Sequence, residues 1–316
     1  MVIERYGHTM KKIALFCAGK IASQLLSYPV KKECSIIGVY DNDVEKWGTK
    51  ICGFDVHSPE ELKHQNYDQI IIASTIFSVV EDVTSQLEAM NIPRNKYVYA
   101  TCIFTIDYFK GELDEYFDVP KKDNIPFKKG PAEIYQNYIG ETHKSHERRV
   151  REGFFEKYCN GEGLDIGYGA DIIVPGCSGW DLRNGDAQYL TGVKDESFDF
   201  VYSSHCLEHM VDVRTSIKNW YRVVKKGGYL IIAIPHRDLY EKKKRLPSRW
   251  NMDHKHMFLI GKEEYPDTLD IVTEIKSSLS NYDIKYIKAC DEGHTITDPL
   301  KHSDGEYQIE IVIQKM

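Results

Sequence analysis

At 316 residues, with 42% hydrophobic and 28% charged positions, the chain is long enough for two separately cored domains and too apolar to be disordered. A formal net charge of -7 excludes a generic nucleic-acid binder, which needs a concentrated basic face. No apolar run approaches the roughly 18 to 20 residues of a membrane span, and the eight cysteines form no CxxC pair, a pattern of reduced cytoplasmic thiols rather than of a disulfide framework.

The opening stretch MVIERYGHTMKKIALF lacks a signal-peptide pattern, because charges flank both sides of a short apolar run that reads as a strand. Residues 1–104 then alternate strand and helix. IALF at 13–16 runs into Cys17-Ala18-Gly19, and a helix follows with Ile21, Leu25 and Leu26 on one face. SIIGVY at 35–40 is the second strand and ends on Asp41. Ser58, Pro59 and Glu61 form a capping box that starts a helix. Strands at 68–73 and 97–99 bracket a helix over 79–90. This βαβ rhythm predicts a Rossmann-like parallel sheet. A dinucleotide fingerprint places glycines at 17, 19 and 22, where this chain has Cys17, Gly19 and Ala22; Asp41 stands where a ribose diol is held. On CAGKIA, VYDND and GFDVHSPEEL, the domain resembles the small nucleotide-fold domains of bacterial sugar-modifying and capsule-synthesis enzymes. Packing or docking, binding of a nucleotide or nucleotide sugar, and nicotinamide redox chemistry all stay open for it.

Residues 105–150 read as a helical linker. Residues 105–119 read as an aromatic, acidic helix, and the proline-bounded stretch 120–126 as the linker candidate. From 132 to 158 the pattern is helical again, with Tyr135, Tyr138 and Ile139 apolar. The charged stretch 141–152, with His143 and His146, reads as a solvated face, and so does the basic run at 242–245.

Residues 151–316 carry the chemistry. In GLDIGYG (163–169), an apolar strand ends on Asp165 and turns through Gly167 and Gly169, which lets the backbone approach a ligand closely. Asp181, the triplet Gly185-Asp186-Ala187, FDFVYSSHCLEH and VVKKGGYLIIAIP follow in order. Val213, Ile217, Trp220, Tyr221 and Val224 are spaced as one helix face, which stops at KKGG (225–228). Two late strands lie at 283–288 and 307–314. This series resembles the class I S-adenosylmethionine (SAM) dependent methyltransferases. It implies a doubly wound α/β unit with a seven-stranded sheet, its antiparallel edge strand in the late pair.

The resemblance also implies roles. Asp165 orients the methionine ammonium, a charge-assisted contact. Asp181 takes both ribose hydroxyls, Asp186 and the Ala187 N–H meet adenine, and Ser203 lies near the sulfonium end. Helices before the first strand cover the cofactor in that family, which places Tyr135, His143 and His146 near the pocket. There are two departures: Ala170-Asp171 replaces a third glycine, and only residues 170–180 separate the turn from Asp181.

Two histidine clusters remain. HCLEH (205–209) matches the H-x-x-E-H metalloprotease pattern, but its place after a buried strand favours Leu207 packing with Glu208 and His209 capping the next helix, and no metal is expected. Asp253, His254 and His256 fall after the fifth strand of this half, where active-site loops sit. His205 or His254 is the expected base, with Asp253 orienting a histidine. The expected protein is a two-domain methyltransferase acting on an oxygen of a sugar or surface-glycan precursor, with a homo-oligomer as an open option. The alternative is a non-catalytic nucleotide-sugar-binding or scaffold subunit of a glycan-synthesis complex.

Overall fold

The computed structural model describes residues 10–100, 112–119, 124–132 and 140–316. It divides into two compact units, 1–122 and 123–316. The residues Tyr135, Tyr138 and Ile139, and residues 105–111 of the expected helix over 105–119, lie outside the described residues; the rest of that helix forms a 3₁₀ turn over Glu112–Glu115.

The first unit holds β1 (Lys11–Phe16), α1 (Lys20–Leu25), β2 (Cys34–Tyr40), β3 (Lys50–Ile51), β4 (Phe54–His57), β5 (Gln69–Ile72), α2 (Phe77–Ala89) and β6 (Tyr97–Tyr99). The sheet order is β3-β4-β2-β1-β5-β6, with β4, β2, β1, β5 and β6 parallel. Val80, Val83 and Leu87 of α2 are buried at helical spacing. Ser58 caps its helix with Glu61 as read, although the segment winds as a 3₁₀ helix over Pro59–His64. The short β3–β4 hairpin has no counterpart in the sequence reading.

The second unit opens with α3 (Glu141–Lys144), α4 (His146–Arg151) and α5 (Phe154–Tyr158). Its sheet is built from β7 (Gly163–Ile166), β8 (Ser178–Trp180), β9 (Phe198–Ser204), β10 (Val224–Pro235), β13 (Tyr282–Cys290) and β14 (Gln308–Lys315). Helices α6 (Val213–Arg222), α7 (Arg237–Tyr240) and α8 (Ile271–Ser278) and the small parallel pair β11 (Met257–Leu259) and β12 (Thr268–Asp270) complete it. The order is β13-β14-β10-β9-β7-β8. Strands β8, β7, β9 and β10 run parallel, and β14 is antiparallel to both β10 and β13. Among the described residues the sheet therefore has six strands, not seven. The chain between β8 and β9 is spent on a 3₁₀ turn at Leu182–Asn184 and on loop, which leaves no strand beyond β8. A second difference lies at residues 225–228. They form a bulge inside β10, between the paired Val224 and Tyr229, rather than a loop after the helix.

Two charged stretches read as solvated are structural. In α4, Arg148 and Arg149 are buried against Glu306 and Glu310. In the basic run, the Lys242 and Arg245 heads donate to the carbonyls of Ile296, Lys301 and Tyr265. Among the described residues no helix is long and apolar enough to cross a membrane.

Candidate active site

The C-terminal ends of β7, β8 and β9 meet at one edge of the second unit. The turn after β7 requires its first glycine. Gly167 has φ +74, and a Cβ there would stand 2.8 Å from the Cβ of Cys206. Gly169 has φ +51, and a Cβ there would meet nothing within 4 Å, so this side of the turn is open. Ala170, at the absent third glycine, still adopts φ +70. That left-handed conformation costs roughly 1–2 kcal/mol. Next to it, Asp171 accepts from the His143 backbone N–H at 3.3 Å and pairs with the His143 ring.

Asp165 is 1% exposed. Its Oδ2 accepts from the Ile173 N–H at 2.8 Å, while Oδ1 has no hydrogen-bond partner. Burial pushes this carboxyl well above its ordinary range. A buried acceptor lacking a donor is costly unless a ligand supplies one. Asp181 follows β8 and caps the 3₁₀ turn, accepting from Leu182 N–H at 2.7 Å. Trp180 Nε1 donates to the Gly185 carbonyl, Asp186 accepts from Gln188 N–H, and Trp220 Nε1 donates to the Ala187 carbonyl. These bonds fix the 185–187 loop on the core. The open glycine turn and the orphaned Asp165 oxygen fit a ligand carrying an ammonium group.

Ser203 does not join this cradle. It is buried, and its hydroxyl donates to the Ile166 carbonyl at 3.1 Å, which ties β9 to β7.

His205 follows β9 with φ +49, a strained conformation of the kind found at functional sites. Its Nε2 is buried without a hydrogen-bond partner and lies 3.8 Å from Glu141 Oε2. Tyr240 and Tyr307 wall the ring at centroid distances of 6.3 and 5.9 Å. Burial lowers the His205 pKa, against the pull of Glu141 and Glu208, so the imidazole is neutral at neutral pH.

The expected Asp253–His254 pair is not formed. Asp253 Oδ2 holds His209 Nδ1 at 3.0 Å, while the buried His254 turns Nδ1 to Glu241 Oε1 at 2.8 Å. The segment 207–209 is a 3₁₀ turn, so the helical H-x-x-E-H geometry is absent as well. Glu141, Tyr240, Glu241 and Tyr307 were missed. They arrive from α3, from α7 and its C-cap, and from the residue before β14, and no periodicity or spacing links them to His205.

In the first unit, a cavity of about 480 Å³ opens beside Cys17, Gly19, Asp41, Lys46 and Ser74. Asp41 is already committed within the chain: its carboxylate accepts from the Ala18 and Asp43 N–H groups and from Lys46 Nζ at 3.1 Å. The ribose-diol position is thus taken by the protein's own donors. Burial pushes the Cys17 thiol up to about 12, which disfavours its thiolate.

The glycine turn and the two carboxylates lie at the C-terminal ends of the parallel strands, the edge at which open α/β sheets bind ligands. Residues 164–232 match the methyltransferase domain family, and residues 9–98 match the C2185-like N-terminal family. No curated protein matches the chain. Among solved structures, it is similar to a SAM-dependent methyltransferase, possible histamine N-methyltransferase, of Thermotoga maritima, with 17% identity, 55% of this chain and 99% of that one covered, and TM-score 0.32. It is also similar to a SAM-dependent methyltransferase of Archaeoglobus fulgidus (16%, 56% and 95%, TM-score 0.34). A third similarity is to the UDP-D-quinovosamine 4-dehydrogenase of Vibrio fischeri (17%, 30% and 84%, TM-score 0.24). The second unit carries a SAM-dependent methyltransferase domain, and SAM is its cofactor.

Proposed function

We infer that the chain methylates a hydroxyl oxygen of a sugar or surface-glycan precursor. One observation carries this reading. The glycine turn after β7 packs directly on Cys206, and the preceding residue, His205, has an uncommitted Nε2. The cofactor cradle and a proton acceptor are therefore neighbours.

SAM, when bound, supplies an electrophilic methyl group on its sulfonium sulfur. Asp165 would hold its ammonium, Asp181 its ribose, and Asp186 with Ala187 its adenine, while Gly167 and Gly169 admit it to the backbone. His205 takes the acceptor's hydroxyl proton at Nε2, and Glu141 stabilises the imidazolium that results. The Tyr240 and Tyr307 rings give an apolar wall with polar tips, a surface suited to a sugar.

The reading is tested by incubating the chain with methyl-labelled SAM and a panel of nucleotide sugars and oligosaccharides. The expected product is an O-methyl ether; label found only on amines or carbon overturns it. Asp165 gives a further prediction. A cation beside it favours its ionised form, and burial has raised its pKa in the free protein. SAM affinity is therefore expected to rise with pH through the titration of Asp165. Calorimetry at stepped pH should show this dependence in the wild type and a flat profile in Asp165→Asn.

A further inference from the structure

Glu208 is 1% exposed, and neither of its carboxylate oxygens has a hydrogen-bond partner. Such a group is strongly disfavoured unless a positive charge meets it. Two imidazole nitrogens face it. His209 Nε2 lies 3.9 Å and His254 Nε2 3.8 Å from Glu208 Oε1, both too far for a hydrogen bond.

The far nitrogen of each ring is fixed. His209 Nδ1 lies 3.0 Å from Asp253 Oδ2, and His254 Nδ1 lies 2.8 Å from Glu241 Oε1. Each Nδ1 faces a carboxylate, so a neutral ring that keeps its proton there leaves the Nε2 lone pair facing Glu208. Metal-binding histidines are held in this way, by a carboxylate on the nitrogen away from the ion. One donor atom from each of Glu208, His209 and His254 lies within 4.8 Å of the others. Donors bound about 2.0–2.2 Å from a common ion stand about 3–4 Å apart, a spacing close to this one. The backbone N–H of Lys255 donates to the Glu208 carbonyl at 2.8 Å, which joins the two segments that bring the ligands.

We propose that Glu208, His209 and His254 bind a divalent first-row transition ion, Zn²⁺ or a neighbour that accepts nitrogen and oxygen ligands. Three protein ligands leave coordination positions for water or a substrate oxygen. His205 Nδ1 is 3.7 Å from Glu208 Oε1, so the ion would stand on the Nδ1 side of the imidazole, opposite the Nε2 proposed as the base. This last consequence rests on the methyl-transfer reading; binding of the ion does not.

The test titrates Co²⁺ into the chelator-treated full-length chain and follows visible d–d absorption, with Zn²⁺ added in competition. The expected result is a saturable band displaced by Zn²⁺ and lost in Glu208→Gln. In Asp253→Asn, Co²⁺ affinity should fall about 10–100-fold. Circular dichroism and a parallel SAM titration accompany each variant, and His209→Ala serves if Glu208→Gln does not fold. A wild-type chain that binds SAM but gives no band overturns the site, as does a folded Glu208→Gln chain with unchanged Co²⁺ binding. A band without SAM binding supports the site and counts against the methyl-transfer reading instead.

Discussion

Replacing His205 with alanine is expected to slow methyl transfer by about 10²- to 10⁴-fold, the range that a positioned general base contributes. The affinity for SAM is expected to stay close to that of the wild type, because the cradle is built from other residues. His205 combines three properties that a base requires. Its Nε2 is not engaged by the protein, its ring is neutral at neutral pH because burial disfavours the charge, and Glu141 lies 3.8 Å from the accepting nitrogen. The chain also holds this residue at positive φ, a conformation that few side chains adopt without cost. Single-turnover kinetics with saturating SAM, beside calorimetry on the same variant, separates the two effects. An unchanged rate would remove His205 from the base role. A lost SAM affinity would make it part of the cofactor site.

The second large effect is expected in the ionic core beneath the sheet. Glu310 is fully buried and accepts from Arg149 Nε at 2.7 Å, Arg148 at 3.0 and 3.1 Å, and the Tyr286 hydroxyl at 2.8 Å. Arg149 also donates to the Tyr202 hydroxyl at 2.9 Å and stacks over the Tyr202 and Phe154 rings. Glu310→Gln leaves the buried guanidinium of Arg149 without its carboxylate, a change expected to cost about 3–5 kcal/mol. Urea unfolding at neutral pH measures it.

The pH dependence has a definite sign. Burial alone would raise the Glu310 carboxyl, but Arg149 and Arg148 override it and pull it down to about 2, from an ordinary 4.5. Its stabilising contribution is thus complete above pH 4.5 and fades as pH falls toward 2. The wild type should lose stability across that window, and Glu310→Gln should show a flatter profile there. A variant as stable as the wild type would contradict the assignment of this cluster as structural.

The sequence was most legible where a single segment carries its own pattern. The strand–turn unit 163–169, the amphipathic helix with Val213, Ile217 and Trp220, and the Ser58 capping box all form locally, and the structure shows each of them. The corrections concern contacts between distant segments. Arg148 and Arg149 are as polar in sequence as any solvated residue; only the arrival of Glu306, just before β14, and Glu310 on it, about 160 positions later, buries them. Asp253 beside His254 resembles a local acid–base pair, yet the loop sends them to different partners, His209 and Glu241. The bulge at 225–228 reads as a helix stop because glycines serve both purposes, and strand pairing decides between them. HCLEH was noticed for its spacing, but its convergence with His254 depends on the path of a loop 45 residues away, which no spacing rule encodes.

The central claim is that the edge formed by β7, β8 and β9 binds SAM through Asp165 and Asp181. It is tested most directly by calorimetric titration of SAM and S-adenosylhomocysteine into the full-length chain, with Asp181→Ala alongside. The account predicts saturable binding of both ligands by the wild type. In Asp181→Ala the affinity should fall about 10- to 100-fold, as expected for the loss of hydrogen bonds to a charged group. A folded wild-type chain that binds neither ligand, or an Asp181→Ala chain that binds as tightly as the wild type, would contradict it.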